Sequence, residues 1–207
     1  MTTPREPETA APPVRVVVAY GVLPAHDLLR SEAARFHDVT AAAVVLGHAC
    51  PRCGGDDHGR PVLLPTAAVR RPVHVSVARA GDLSVVAISA ARPVGVDVEP
   101  VDAAGFPGFD DVALHPDERA ATPAERTRAW VRKEALLKAY GLGLAVDPRH
   151  VRLDDHGLAG WDSPEPEPGP VRLRDLDVPG HVAAVAVLLR DGLDLTDLAV
   201  TLRAATP

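Results

Sequence analysis

The sequence predicts an α+β protein made of two similar halves that share one cleft. Three observations carry this. Short runs rich in Val, Leu and Ala recur with Gly and Pro between them. Only a few stretches have helical periodicity. The order of elements (strand, helix, irregular loop, then several strands) occurs twice, with a break near residue 100. The halves are read as 13–100 and 101–207, after a polar, disordered tail at 1–12.

In the first half, Val14–Tyr20 reads as a buried strand and Ser31–Gly47 as a helix with Ser31 as N-cap. Cys50–Pro61 is a Gly-rich loop, and Val73–Val77, Leu83–Ser89 and Val94–Glu99 are strands. Asp102–Ala121 is irregular, with one helical turn near Pro116–Ala120. The clearest helix is Pro123–Tyr140. Thr122 is its N-cap, Pro123 its first residue, Glu125 the partner of a capping box and Gly141 its C-cap. Val151–Leu153 is a short strand and Ser163–Pro170 a proline-rich loop. Val171–Leu173, Val182–Leu189 and Leu195–Leu202 close the chain as strands.

Composition removes several classes of function. The net charge is −6, with no basic run and no aromatic residues interleaved with one, which argues against a nucleic-acid surface. No apolar run approaches the ~20 residues of a membrane helix, and the first residues lack a signal peptide's apolar stretch, so a cytoplasmic protein is expected. Aromatic residues make up 3% of the chain, so the core must rest on Val, Leu and Ala. Arg outnumbers Lys by 20 to 2, and the two lysines, Lys133 and Lys138, fall in one helix. That clustering points to a segment that needs compact ammonium groups.

Side chains on a strand alternate between faces. In Val94–Glu99 the valines therefore face one way and Gly95, Asp97 and Glu99 the other. The two carboxylates are ~6.6 Å apart at Cα, within reach of one cation between them. A strand end dipping into solvent would show the same pattern. Gly95 leaves space on that face, read here as room for a ligand to approach. On the helix, Trp130, Glu134 and Lys138 form one stripe at i, i+4, i+8. A solvated Glu–Lys pair is the plain reading of two of them, but the apolar residues around the pair place it near a protein seam.

The two segments together, V-G-V-D-V-E at 94–99 and W-V-R-K-E-A-L-L-K at 130–138, resemble the paired signature of the 4′-phosphopantetheinyl transferases. The likeness is nearest to the surfactin-type branch, whose chain has two halves. It continues into Gly141-Leu142-Gly143-Leu144 and covers most of residues 50–155.

The resemblance implies a phosphopantetheinyl-transferase-like fold. The implied activity is Mg²⁺-dependent transfer of the 4′-phosphopantetheine arm of coenzyme A to a serine of an acyl or peptidyl carrier protein, with release of adenosine 3′,5′-bisphosphate. It implies Asp97, Glu99 and Glu134 as metal ligands, Glu134 as acceptor of the serine proton, and Lys133 and Lys138 as pyrophosphate contacts. Gly59-Arg60-Pro61 is similar to a family loop whose basic residue approaches the coenzyme. Ser76–Asp82 aligns with an N-x-S-H-S-G-D stretch, with Ala78 and Arg79 in place of the usual Ser and His. Arg35 and His37 align with basic residues that hold the 3′-phosphate. Two halves in one chain can build the cleft without a second subunit, so a monomer is expected. Two rival classes are a non-catalytic relative that binds carrier proteins and another Mg²⁺-dependent phosphate enzyme, such as a nucleotide hydrolase.

One cluster falls outside this pattern. His48, Cys50, Cys53 and His58 lie within eleven residues, tighter than zinc-finger spacing. They read either as a tetrahedral zinc site or as a loop with two free thiols.

Overall fold

A computed structural model describes residues 14–155, 157–189 and 198–205. The expected tail at 1–12, and positions 195–197 of the expected last strand, lie outside the described residues. In chain order the elements are β1 (Val14–Gly21), α1 (Ala25–His37), β2 (Val45–Ala49), β3 (Arg60–Leu64), β4 (His74–Ala80), β5 (Leu83–Ser89), β6 (Val94–Pro100), α2 (Phe109–Ala113) and α3 (Pro123–Tyr140). They continue with β7 (Val151–Leu153), β8 (Leu158–Trp161), β9 (Val171–Leu176), β10 (His181–Leu188) and β11 (Leu198–Ala204).

The strands form a four-stranded sheet in the order β11-β1-β5-β4, a three-stranded sheet β6-β10-β9, and two hairpins, β2-β3 and β7-β8. β1 is antiparallel to β5 and parallel to β11, which returns from the far end of the chain. One core lies between the two larger sheets. Val16 and Val18 of β1, Ala78 and Ala80 of β4, and Val85 and Ala87 of β5 meet Val94, Val96 and Val98 of β6 and Val185 and Val187 of β10. Each buried valine contributes on the order of 1.5–3 kcal/mol of hydrophobic stabilisation. The outer face of the first sheet is covered by α1 through Leu28, Leu29 and Ala33. The outer face of the second is covered by α3 through Val131, Ala135, Leu136 and Ala139.

At the edge where the sheets meet, the Val96 N–H of β6 donates to the Ser76 hydroxyl of β4 at 3.0 Å. A side-chain oxygen there takes the place of a ladder carbonyl and holds the two sheets side by side.

Several elements differ from the sequence reading, among them β3 and β8, which fall where it places no strand. Ser31 lies inside α1 and is not its cap. The helix starts after Pro24 and ends at Asp38, which takes a left-handed conformation (φ 55°) and donates its N–H back to Ala34 and Arg35 carbonyls. Residues 45–47, expected as the end of that helix, instead belong to the strand Val45–Ala49, which pairs with β3. The helical turn expected near 116–120 sits at 109–113. The expected caps of α3 are all present: Thr122 accepts from the Glu125 N–H, Glu125 reaches back to the N-cap, and Gly141 ends the helix at φ 88°.

The candidate active site

The site forms where β6 lies under α3. Gly95 explains how they come so close. A Cβ at this position would stand 2.0 Å from the Ala135 carbonyl oxygen and 2.4 Å from the Ala139 nitrogen. The space that the sequence reading offered to a ligand is therefore filled by the helix backbone. Opposite Gly95 and Asp97 on β10 stand Ala186 and Ala184, so small residues make a shelf on which α3 rests.

This contact brings the outward face of β6 against one stripe of α3. Lys138 Nζ donates to Asp97 Oδ1 at 2.6 Å and lies 4.0 Å from Glu134 Oε2. Asp97 and Glu134 are buried and Glu99 is half-buried. Burial pushes the Asp97 carboxyl above the ordinary aspartate range, against the pull of Lys138. Glu134 is also raised, first by burial and then by the charges of Asp97 and Glu99, with Lys138 opposing. Glu99 is raised by burial and by Asp97. Three mutually repelling carboxylates thus share one ammonium. Asp97 Oδ2 is buried without a hydrogen-bond partner. A buried, unpartnered carboxylate oxygen in an excess of negative charge fits a hard divalent cation with oxygen ligands. Trp130 completes the stripe and stacks edge-on against Phe109 of α2.

Next to the acids, a cavity of about 320 Å³ is lined by Arg60, Ser76, Lys138, Gly141 and Gly143, among others. Arg60 Nη1 lies where a side chain on Gly141 would meet it at 3.3 Å. Two cations, Arg60 and Lys138, therefore gather at the C-terminal end of α3, where the helix dipole favours positive charge. Lys138 belongs to both the acid cluster and the cavity. His74 sits beside them, and burial, with Arg60 and Arg92 nearby, lowers the pKa of its imidazole. His74 and His181, whose charge reaches Glu99, were not singled out from the sequence.

Four expected residues lie elsewhere. Lys133 is fully buried, and its ammonium is engaged by Glu118 at 2.5 Å, the Ala113 carbonyl at 2.8 Å and the Pro148 carbonyl at 3.0 Å. With its three protons used, it holds α2 and the 148–150 turn to α3 and is not free for a pyrophosphate. Arg79 is exposed on β4, on the opposite face from Ala78 and Ala80, and is not among the residues lining the cavity. Arg35 and His37 border a separate, arginine-rich cavity of about 780 Å³ together with Arg15, Arg70, Arg71 and Arg203.

Residues 93–179, which run from just before β6 through α3 to the turn before β10, match the family model of the 4′-phosphopantetheinyl transferase superfamily. No curated protein matches the chain. The matched stretch contains Asp97, Glu99, Glu134 and Lys138, and it supports this family for the chain. The activity the family suggests is phosphopantetheine transfer. Among the described residues, no helix is long and apolar enough to cross a membrane.

Proposed function

We propose that the chain is a cytoplasmic, monomeric 4′-phosphopantetheinyl transferase of the two-halves branch. It would move the phosphopantetheine arm of coenzyme A onto a serine of an acyl or peptidyl carrier protein. The observation that carries this reading is Lys138. One ammonium touches the buried acid cluster at Asp97 and at the same time lines a cavity with Arg60. A pyrophosphate lying in that cavity meets two cations at one end and three carboxylates at the other.

The expected boundary at residue 100 leaves β6 in the first half, but β6 pairs with β10, so the two halves of this reading are better drawn as the β1-β5-β4 sheet with α1 and the β6-β10-β9 sheet with α3. The strand order supports it. In each unit the first strand pairs with the last, the last pairs with the one before it, and a separate hairpin falls between helix and sheet.

Asp97, Glu99 and Glu134 would hold a Mg²⁺ ion. When bound, it would supply charge neutralisation at the phosphoryl group and the leaving phosphate. The rest is work for the chain's own side chains. Lys138 and Arg60 fix the pyrophosphate through charge-assisted hydrogen bonds. Glu134 accepts the proton of the attacking serine hydroxyl, directly or through water, and its raised pKa makes it a stronger base than an ordinary carboxylate. The serine oxygen–phosphorus bond forms, the bond to the bridging pyrophosphate oxygen breaks, and adenosine 3′,5′-bisphosphate leaves.

The test is to incubate the protein with coenzyme A and Mg²⁺, with and without an apo-carrier protein. Release of adenosine 3′,5′-bisphosphate only when the carrier is present is the expected result. Release without a carrier would identify a hydrolase. No release with several carriers would leave a binding protein.

A further inference from the structure

The tip of the β2-β3 hairpin, residues 50–59, is built from C-P-R-C-G-G-D-D-H-G. Its backbone folds on itself: the Gly54 N–H donates to the Cys50 carbonyl and the Cys50 N–H to the Gly55 carbonyl, each at 2.9 Å. This tight turn puts the two sulfurs on the same side. The Gly55 N–H points at Cys53 Sγ at 3.4 Å, the kind of donor that stabilises a thiolate. The ligand atoms of Cys50, Cys53 and His58 all lie within 4.8 Å of one another. Among the described residues no other group of three His, Cys, Asp or Glu side chains has its ligand atoms this close together; the carboxylates of Asp97, Glu99 and Glu134 would have to draw together around an ion.

The histidine is also oriented. His58 Nδ1 is 2.6 Å from Asp57 Oδ1, and Nε2 is 3.4 Å from Cys53 Sγ. A carboxylate on one ring nitrogen fixes the tautomer that leaves the other nitrogen as a lone-pair donor, the usual support of a metal-bound histidine. The Sγ to Nε2 separation also suits a shared ion. With Zn–S ≈ 2.3 Å and Zn–N ≈ 2.0–2.1 Å, tetrahedral angles put the two ligand atoms about 3.5 Å apart.

We propose that Cys50, Cys53 and His58 hold one zinc ion, with the fourth position left to water and Asp57 as the positioning residue for His58. Two thiolates and an imidazole are the soft and borderline donors that select zinc over magnesium. Binding releases two thiol protons, and nothing is oxidised. His48 is not a ligand. Its ring lies 5.8 Å from that of His26, and it is not among the gathered atoms. The ion clips the hairpin at its tip, where Gly59 passes so close to Ala49 that a side chain would meet its carbonyl oxygen at 2.5 Å. The next residue is Arg60, and Cys50 itself lines the cavity that holds Arg60 and Lys138. The clip thus sets the position of a cavity cation from a loop that is mostly exposed. The inference does not depend on the transferase reading, since zinc content is read without any assay of activity.

The test uses the full chain, reduced and stripped of metal, titrated with Zn²⁺ alone against a chromogenic chelator, with Co²⁺ as a spectroscopic substitute. One zinc per chain is expected, along with the visible bands of tetrahedral, thiolate-bound cobalt. Cys53→Ser should abolish both. Asp57→Asn should keep the stoichiometry and weaken affinity by about 10–100-fold. Circular dichroism on each variant shows that the fold is intact. Three results would each overturn the proposal: no zinc bound by the wild type, zinc retained at full affinity by Asp57→Asn, or a Cys50–Cys53 disulfide that persists in reductant.

Discussion

Lys138 Nζ stands 2.6 Å from Asp97 Oδ1, so the last lysine of α3 is joined to the middle of β6 across the seam between helix and sheet. The ammonium pulls on all three raised carboxylates, and among the described residues Asp97 Oδ2 finds no hydrogen-bond partner. A divalent cation bound there should stabilise the fold. Mg²⁺ at about 100 times its dissociation constant adds about 2.7 kcal/mol. A thermal melt should show this as a rise in Tm that Ca²⁺-free, Mg²⁺-free buffer abolishes. In Asp97→Asn the rise should disappear.

The two lysines of α3 should separate cleanly. Lys133→Met removes one partner of a buried ion pair and leaves two carbonyls without their donor, so a loss of about 3–5 kcal/mol is expected in urea unfolding. Coenzyme A affinity in the folded fraction should not change. Lys138→Met also removes the partner of a buried carboxylate, Asp97, so stability falls here too. What separates the two is that it weakens coenzyme A by about 10–100-fold in titration calorimetry, the loss of one charge-assisted hydrogen bond. Should Lys133→Met fail to fold, Glu118→Gln weakens the same cluster more gently. It should show the same lower stability with unchanged affinity.

Gly95→Ala should be among the most damaging single-atom additions in the protein. Its Cβ meets backbone of Ala135 and Ala139, not a side chain that could turn aside. Chemical denaturation should report a loss of about 1–3 kcal/mol or more. The shift of α3 away from β6 should also separate Lys138 from Asp97, so coenzyme A binding falls with stability.

Asp175 gives a pH signature away from the site. Although burial raises its pKa, the hydrogen bonds from Arg132 and Arg128 hold this carboxyl below the ordinary value of 3.8. A depressed folded-state pKa gives stability that is present above the unfolded pKa and is lost as pH falls through the folded one. The stability gap between wild type and Asp175→Asn should therefore stay constant from neutral pH down to about pH 5. It should then close progressively below about pH 4, which denaturation curves across pH would show.

How far the sequence reveals this arrangement depends on the range of the forces involved. The caps of α3 are local: Thr122, Pro123, Glu125 and Gly141 each act within a turn of the helix end, and all four are found where expected. The faces of β6 follow from alternation alone. α1 was misplaced because its true start carries no side-chain cap and because Val45–Ala49 is held by β3, a partner that no local pattern announces. The role of Lys133 was open to simple geometry. Five residues from Lys138 is about 140° around a helix, so the two ammonium groups cannot share one ligand easily. Likewise Ser76 and Arg79 are three apart on a strand and face opposite ways. The short approach of α3 to β6 depended on reading Gly95 with Ala184 and Ala186, residues about ninety positions apart in sequence.

The most direct test of the central reading is the intact mass of an apo-carrier protein after incubation with the protein, coenzyme A and Mg²⁺. The carrier should gain one phosphopantetheinyl group on a single serine, and Glu134→Gln, folded but without its carboxylate, should leave the mass unchanged. A wild-type protein that leaves every carrier tested at its apo mass, or a Glu134→Gln variant that modifies it at the wild-type rate, would contradict that reading.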